Sequence, residues 1–282
     1  MNEFQQSLRK QEENNETCSI SWLGQAGFII STGKAKLAID LYLSDYLAKK
    51  YAGMELPHRR MAPPPMQPES LNGMDLYFCT HQHSDHMDPE TFPIVMRNNP
   101  CCRAVVPAAH AEHAAGLGVD PGRIVPIDAG ENTAFPELGI EIHALAAAHE
   151  KFEQDREGRH LYLGYIITSG ADRFYHSGDC VPYDGLTDEL KKFSPRTALL
   201  PVNGRDEYRR SRNILGNFTI EEAIQICREA EIQHLIPHHF GMFDFNTVDL
   251  DYVQNAASKE MAKKVTRSEE RRVGKECTLR CR

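Results

Sequence analysis

The chain has 282 residues, 41% of them hydrophobic and 26% charged, which excludes a disordered or collagen-like polypeptide and suffices for one large domain or two small ones. Its formal net charge of −8 argues against a nucleic acid backbone as the main partner, because such a partner demands clustered positive charge. No apolar run approaches the roughly 20 residues that span a bilayer, and the opening MNEFQQSLRKQEENNE lacks the apolar stretch of a secretory signal, so a cytoplasmic protein is expected.

Residues 1–17 form a polar N-terminal segment. From Cys18 the runs CSISWLG, AGFIIST and AKLAIDLY are rich in β-branched and aromatic residues and are separated by turn residues, which predicts a meander of three strands. Residues 42–74 break this rhythm with Pro57, Pro63, Pro64, Pro65 and Pro68. Consecutive prolines cannot form a central strand, so a long ordered loop is expected, serving as a lid or binding element, a dimer contact or plain surface. Asp75–Thr80 (DLYFCT) then fits a buried strand, and Asp88-Pro89-Glu90 reads as the start of a helix running to about Arg97.

Further on, strands are expected over 103–106, 123–127, 139–147, 160–168, 172–176, 197–202 and 233–237. Helices are expected over 108–116, 219–231 and 247–264, the second opened by a capping box of Thr219 and Glu222. Strand-rich blocks alternating with helices give an α/β layered domain. Residues 267–282 are set apart, because Arg267–Cys277 reads RSEERRVGKEC, similar to a common sequencing adapter translated in one frame. The domain is therefore expected over 18–266 with a non-native, poorly ordered tail after it. That tail carries six Lys/Arg and three Glu, so without it the net charge falls from −8 to −11. The cysteines outside it show no CxxC pair, which suits reduced core thiols.

The strongest chemical signal is His81-Gln82-His83-Ser84-Asp85-His86, placed directly after a buried strand. Histidines two apart in an extended segment project to one side, so His81 and His83 can reach a single ion. Asp85 and His86 follow on a turn and can face a second one. Other candidates stand at strand ends: His149, Asp179 and His239, with His238 competing for the last place. Gly178 before Asp179 permits a tight turn. His110 and His113 are spaced to share a metal, although a surface position is the better reading.

The order HxHxDH, His, Asp, His resembles the metallo-β-lactamase superfamily. Within it WLGQAGF, THQHSDHMDPETF, YHSGDC and LIPHHFGMF resemble the L-ascorbate-6-phosphate lactonase-like branch, over about Ser19 to Asp249. The resemblance implies a four-layer αβ/βα sandwich with the metal site at one edge between two sheets. It implies two divalent ions, one held by His81, His83 and His149, the other by Asp85, His86 and His239, with Asp179 bridging. It leaves His176 and His238 to orient the ligands.

Such a centre makes hydroxide available near neutral pH for attack on a carbonyl or phosphorus, with Asp85 orienting the nucleophile and accepting a proton. The nitrogen-rich ligand set suits zinc, with manganese or iron as alternatives. The expected activity is hydrolysis of a small anionic ester or lactone. A binuclear phosphodiesterase or nuclease and a metal-binding protein without turnover are the competing readings, and a homo-oligomer is compatible with either. Asn203 and Arg205, in the basic stretch after strand 197–202, are candidates to hold the anionic group, against a reading in which the arginines pair with nearby acids.

Overall fold

The computed structural model describes residues 18–260 and 279–280. The first sheet is built from β1 (Ser19–Gly24), β2 (Gly27–Ser31), β3 (Lys36–Ile39), β4 (Leu76–Phe78), β5 (Arg103–Pro107) and β6 (Ile124–Ile127), hydrogen-bonded in that order. The first three strands are antiparallel and β3 to β6 run parallel. The second sheet contains β7 (Asn132–Phe135), β8 (Ile140–Ala146), β9 (Leu163–Ser169), β10 (Asp172–His176), β11 (Thr197–Pro201) and β12 (His234–His238). Its strands β7 to β10 are antiparallel, and β10, β11 and β12 are parallel.

Period-2 burial assigns the layers. Phe28, Ile30, Leu37, Ile39, Leu76 and Phe78 from the first sheet share one buried cluster with Ile142, Leu163, Tyr165, Ile167, Leu199 and Ile236 from the second. Their neighbours point outward: Ile29, Ala38 and Tyr77 pack with Phe92, Val95 and Met96, the last three from helix Phe92–Asn98. On the other side Ile166, Ala198 and Leu200 pack with Ile220, Ala223, Ile224 and Cys227 of helix Ile220–Glu229. Alternate side chains of a strand face opposite sides, so two sheets back to back carry helices on both outer faces. The expected four-layer sandwich is the observed fold.

Local differences from the sequence reading have physical causes. The helix after the histidine motif starts at Phe92, not at Asp88. Asp88 instead ties a preceding turn, its carboxylate accepting from Glu90 N–H at 2.9 Å and Ser44 Oγ at 2.9 Å. The structure adds β7 and helix Leu186–Phe193, neither of which was predicted. The capping box at Thr219 and Glu222 is present in both directions. His110 is buried and its Nε2–H donates to the Leu161 carbonyl at 2.8 Å, so its position is internal and not on the surface.

The polar segment 1–17, the last residues of the expected 247–264 helix beyond Glu260 and most of the tail lie outside the described residues. From the tail, Leu279–Arg280 forms β13, paired antiparallel with β1. No helix among the described residues is long and apolar enough to cross a membrane.

The proline-rich segment is fastened down. Met61 N–H donates to Met242 O at 2.8 Å, and the Arg60 guanidinium donates to Tyr42 O at 3.0 Å while lying over the Tyr42 ring. His58 stacks on Tyr51 with ring centroids 4.2 Å apart and meets Phe243 and Phe245 edge-on. The segment is thus a packed wall against the chain that follows β12.

Candidate metal centre

The candidate residues follow the C-terminal ends of strands, on the open edge between the sheets. His81, His83, Asp85 and His86 follow β4; His149 follows β8, Asp179 follows β10 and His239 follows β12. Parallel or same-sense strands bring their ends to one side, where side chains from separate stretches can converge. They do converge. The rings of His81 and His86 are 4.0 Å apart between centroids, His81 and His83 4.5 Å, and His83 and His149 5.4 Å.

Asp179 sits between the imidazoles. Its Oδ1 lies 3.3 Å from His86 Nε2 and 3.2 Å from His239 Nε2, and its Oδ2 lies 3.7 Å from His149 Nε2. Asp85 Oδ2 stands 3.8 Å from His86 Nε2 and 3.7 Å from His239 Nε2. Donors about 2.1 Å from a tetrahedral ion lie about 3.4 Å from one another, so these separations suit ligands that share a cation. The Asp85, His86 and His239 group offers atoms all within 4.8 Å of one another, as does the group of His81, His86 and Asp179. His86 Nε2 and Asp179 Oδ1 are buried with no hydrogen-bond partner. Buried polar atoms are normally satisfied, and a divalent ion satisfies both.

The surroundings choose which nitrogen is offered. His86 Nδ1–H donates to Asp40 Oδ2 at 2.7 Å, which leaves Nε2 facing the centre. Asp40 also accepts from Thr80 N–H at 2.8 Å and Thr80 Oγ1–H at 2.6 Å. With its proton committed to Asp40, the Thr80 hydroxyl accepts from His81 Nδ1–H at 3.1 Å, and His81 too turns Nε2 inward. Burial pushes the His81, His83 and His149 rings down from the usual histidine range, His149 to about 4. They are neutral at physiological pH, and His81 Nε2 lies 2.9 Å from His83 Nδ1, so the two rings set nitrogens side by side where a cation could take both. Burial also opposes charge on His86, but Asp179, Asp40 and Asp85 outweigh it and raise its pKa well above the ordinary value. For Asp179, burial alone raises the pKa, and His239 and His86 overcome that and hold the carboxyl ionised.

Glycine is required at one turn. Gly178 has φ +60°, and a Cβ there would stand 2.7 Å from Thr80 Cβ and 2.8 Å from Leu163 O. Gly178→Ala is expected to cost about 2–4 kcal/mol from the left-handed backbone and the clash together, read as a lowered urea midpoint. An unchanged midpoint would show that the turn is not held as described.

His176 holds the same turn, its Nδ1 accepting from Gly178 N–H at 3.1 Å while Nε2–H donates to Ala26 O at 3.0 Å. His238 stacks on His176 with centroids 5.1 Å apart and meets Phe28 edge-on. His239, not His238, faces Asp85 and Asp179.

The basic stretch does not present free cations to this edge. Arg205 forms a two-pronged pair with Glu222, at 2.7 and 2.6 Å, and donates to Asn217 O. Asn203 is buried between Asn246 and Asn217, using both ends of its amide. Arg209 pairs with Asp206, Arg210 with Glu150 and Arg212 with Glu55. The expectation that Asn203 and Arg205 hold a substrate anion is therefore corrected: both are committed internally. Arg205→Ala is expected to lower stability by about 1 kcal/mol, since the pair is part-exposed and its main effect is on the cap of helix Ile220–Glu229. The ratio of KM between phosphorylated and neutral substrates should stay unchanged, and a selective rise for the phosphorylated one would restore the anchor.

Residues that sequence reasoning did not place in the site include Gln25, Asp40, Thr80 and Tyr162. The Tyr162 ring lies 5.0 Å from His81, 5.8 Å from His83 and 5.2 Å from His149 between centroids, covering the first three expected ligands.

The fold and the ligand cluster define a superfamily, and comparison agrees. Residues 51–240 match the family model described as the beta-lactamase superfamily domain, and the chain belongs to that superfamily. It is 28% identical over 233 residues to a UPF0173 metal-dependent hydrolase of Myxococcus xanthus, covering 79% of this chain and 71% of the relative. It is 25% identical over 242 residues to the N-acyl-phosphatidylethanolamine-hydrolyzing phospholipase D 1 of Caenorhabditis elegans, covering 81% of this chain and 65% of that one. Among solved structures, an isothiocyanate hydrolase from Delia radicum gut bacteria superposes with a TM-score of 0.71 at 17% identity, covering 88% of this chain and 95% of that chain.

Proposed function

We propose that the protein is a metal-dependent hydrolase that uses two divalent ions on a small anionic ester or lactone. The observation that carries this reading is the split placement of the Asp179 carboxylate, one oxygen toward His149 and the other toward His86 and His239. His81, His83 and His149 would hold one ion, Asp85, His86 and His239 the other, and Asp179 would bridge them. Zinc suits the nitrogen-rich set, and manganese or iron suits the carboxylates. Bound divalent ions supply Lewis acidity, which lowers the pKa of a coordinated water and polarises a carbonyl or phosphoryl oxygen.

The chain's own residues do the rest. Asp85, partly open to solvent and with Oδ2 tied to Gln25, is placed to orient a nucleophile and take its proton. Asp40 and Thr80 keep His86 and His81 in the tautomers that face inward. Tyr162 packs over His81, His83 and His149 and covers that side of the centre. With the arginines after β11 paired, recognition of an anionic group falls to the centre itself and to Lys50, whose charge acts on His83 and His58.

A phosphodiester substrate is the second reading, favoured by the similarity to the nematode phospholipase D. The test is elemental analysis of purified protein, then a panel of lactones and phosphodiesters before and after chelation and ion return. Lactone opening that disappears with the ions and returns with them supports the first reading, and selective phosphodiester cleavage supports the second. Turnover that survives complete ion removal would sink both.

A further inference from the structure

We infer that Gln25 is a positioning residue that sets the Asp85 and His239 side of the centre, an inference that rests on the reading of that group as an ion site. Gln25 occupies the turn between β1 and β2 and is fully buried. Its side-chain Nε2 lies 2.8 Å from Asp85 Oδ2 and 3.1 Å from His239 Nε2. Its backbone carbonyl accepts the His239 N–H at 2.9 Å and the Trp22 indole N–H at 2.9 Å. One residue therefore touches Asp85 and His239 through its side chain and His239 again through its main chain.

The backbone shows what this arrangement costs. Gln25 has φ +50° and His239 φ +65°, both in the left-handed region that side-chain-bearing residues rarely adopt. One main-chain hydrogen bond, His239 N–H to the Gln25 carbonyl, joins the two. Any residue could supply the carbonyl at position 25, but only one with a side-chain donor of this reach can hold Asp85.

The amide orientation is decided by its neighbour. A carboxylate accepts and cannot donate, so Nε2 must face Asp85, and Oε1 is left buried with no partner. An unsatisfied buried carbonyl is unfavourable in a fold that needs only shape at this position. The compensation lies in the centre: with Oδ2 held by an N–H, the orientation of the Asp85 carboxylate is set before an ion arrives. Donors of this kind behind metal ligands change metal affinity about 10–100-fold when removed.

The test uses the full chain, with Zn2+ titrated against a chromogenic chelator and Co2+ absorption as the spectroscopic reading. Gln25→Met keeps the volume without a donor, and Gln25→Glu keeps the shape but sets a carboxylate against Asp85. Gln25→Met is expected to weaken one of the two Zn2+ ions about 10–100-fold, to leave the other unchanged and to alter the Co2+ bands. The added carboxylate of Gln25→Glu attracts a cation and is expected to tighten that same ion while also altering the bands. The melting midpoint of the metal-free protein should move little with Gln25→Met. Variants that titrate like the wild type, or that lose both ions equally together with a lowered metal-free midpoint, would overturn the positioning role. A wild-type chain that binds no Zn2+ or Co2+ would overturn the functional reading itself, and this inference with it.

Discussion

Replacing Asp179 with alanine is expected to remove divalent ions and hydrolysis in one step. The carboxylate is the group that faces both sides of the centre, with His86 and His239 at 3.3 and 3.2 Å from one oxygen and His149 at 3.7 Å from the other. Without it, the imidazoles and Asp85 would bring a single carboxylate to set against two divalent cations in a buried place. The effect has a thermodynamic reading that needs no substrate. An ion that binds only the folded chain stabilises it by about 2.7 kcal/mol when present at 100 times its Kd. The wild type should therefore melt higher with excess Zn2+, and Asp179→Ala should show no increment. Elemental analysis and paired thermal melts check this. An alanine variant that retained two ions and its turnover would remove the basis for assigning the centre.

The second large effect is expected at Asp40. This buried carboxylate accepts from Thr80 N–H, Thr80 Oγ1–H and His86 Nδ1–H at 2.8, 2.6 and 2.7 Å. Asp40→Ala strands all three donors and leaves His86 without one of the carboxylates that raise its pKa. Breaking a buried charged pair by removing one partner costs about 3–5 kcal/mol, and that loss should appear in urea denaturation. Ion affinity should fall as well, because His86 loses the bond that fixes its tautomer, and the Thr80 hydroxyl, no longer committed to Asp40, can donate to His81 Nδ1 instead of accepting from it. Asp40→Asn should be milder in stability, since its carbonyl can still accept. A loss below about 1 kcal/mol for the alanine variant would mean that this network contributes no more than a surface pair.

The histidine motif was readable because its parts are close in the chain: three histidines and an aspartate in six residues after a buried strand leave few alternatives. His149, Asp179 and His239 were readable more weakly, through strand ends and through the resemblance. Gln25 and Asp40 were not, since their value depends on partners 60 and 46 positions away, Asp85 and His86, that only the tertiary fold delivers. Arg205 shows the opposite error. Its local sequence looked like an anion-binding cluster, whereas Glu222, 17 positions on, takes its guanidinium.

Secondary structure failed for comparable reasons. The strand Asn132–Phe135 is short, lies at the sheet edge and buries only Phe135, so it carries little apolar alternation. The helix Leu186–Phe193 starts after Gly185 in the left-handed region with no side-chain cap, and it buries only Leu186 and Leu190. The strands that build the inter-sheet core were legible because their alternation is strong.

The expected ligands hang from different sheets: His81, His83, Asp85 and His86 from the first, His149, Asp179 and His239 from the second. Cations seated among them would act as rivets through the open rim of the sandwich, joining segments far apart in the chain. Chelation would then loosen the seam between the two halves as well as silence the chemistry. For such a protein, metal supply would govern how long the molecule survives as well as how fast it works.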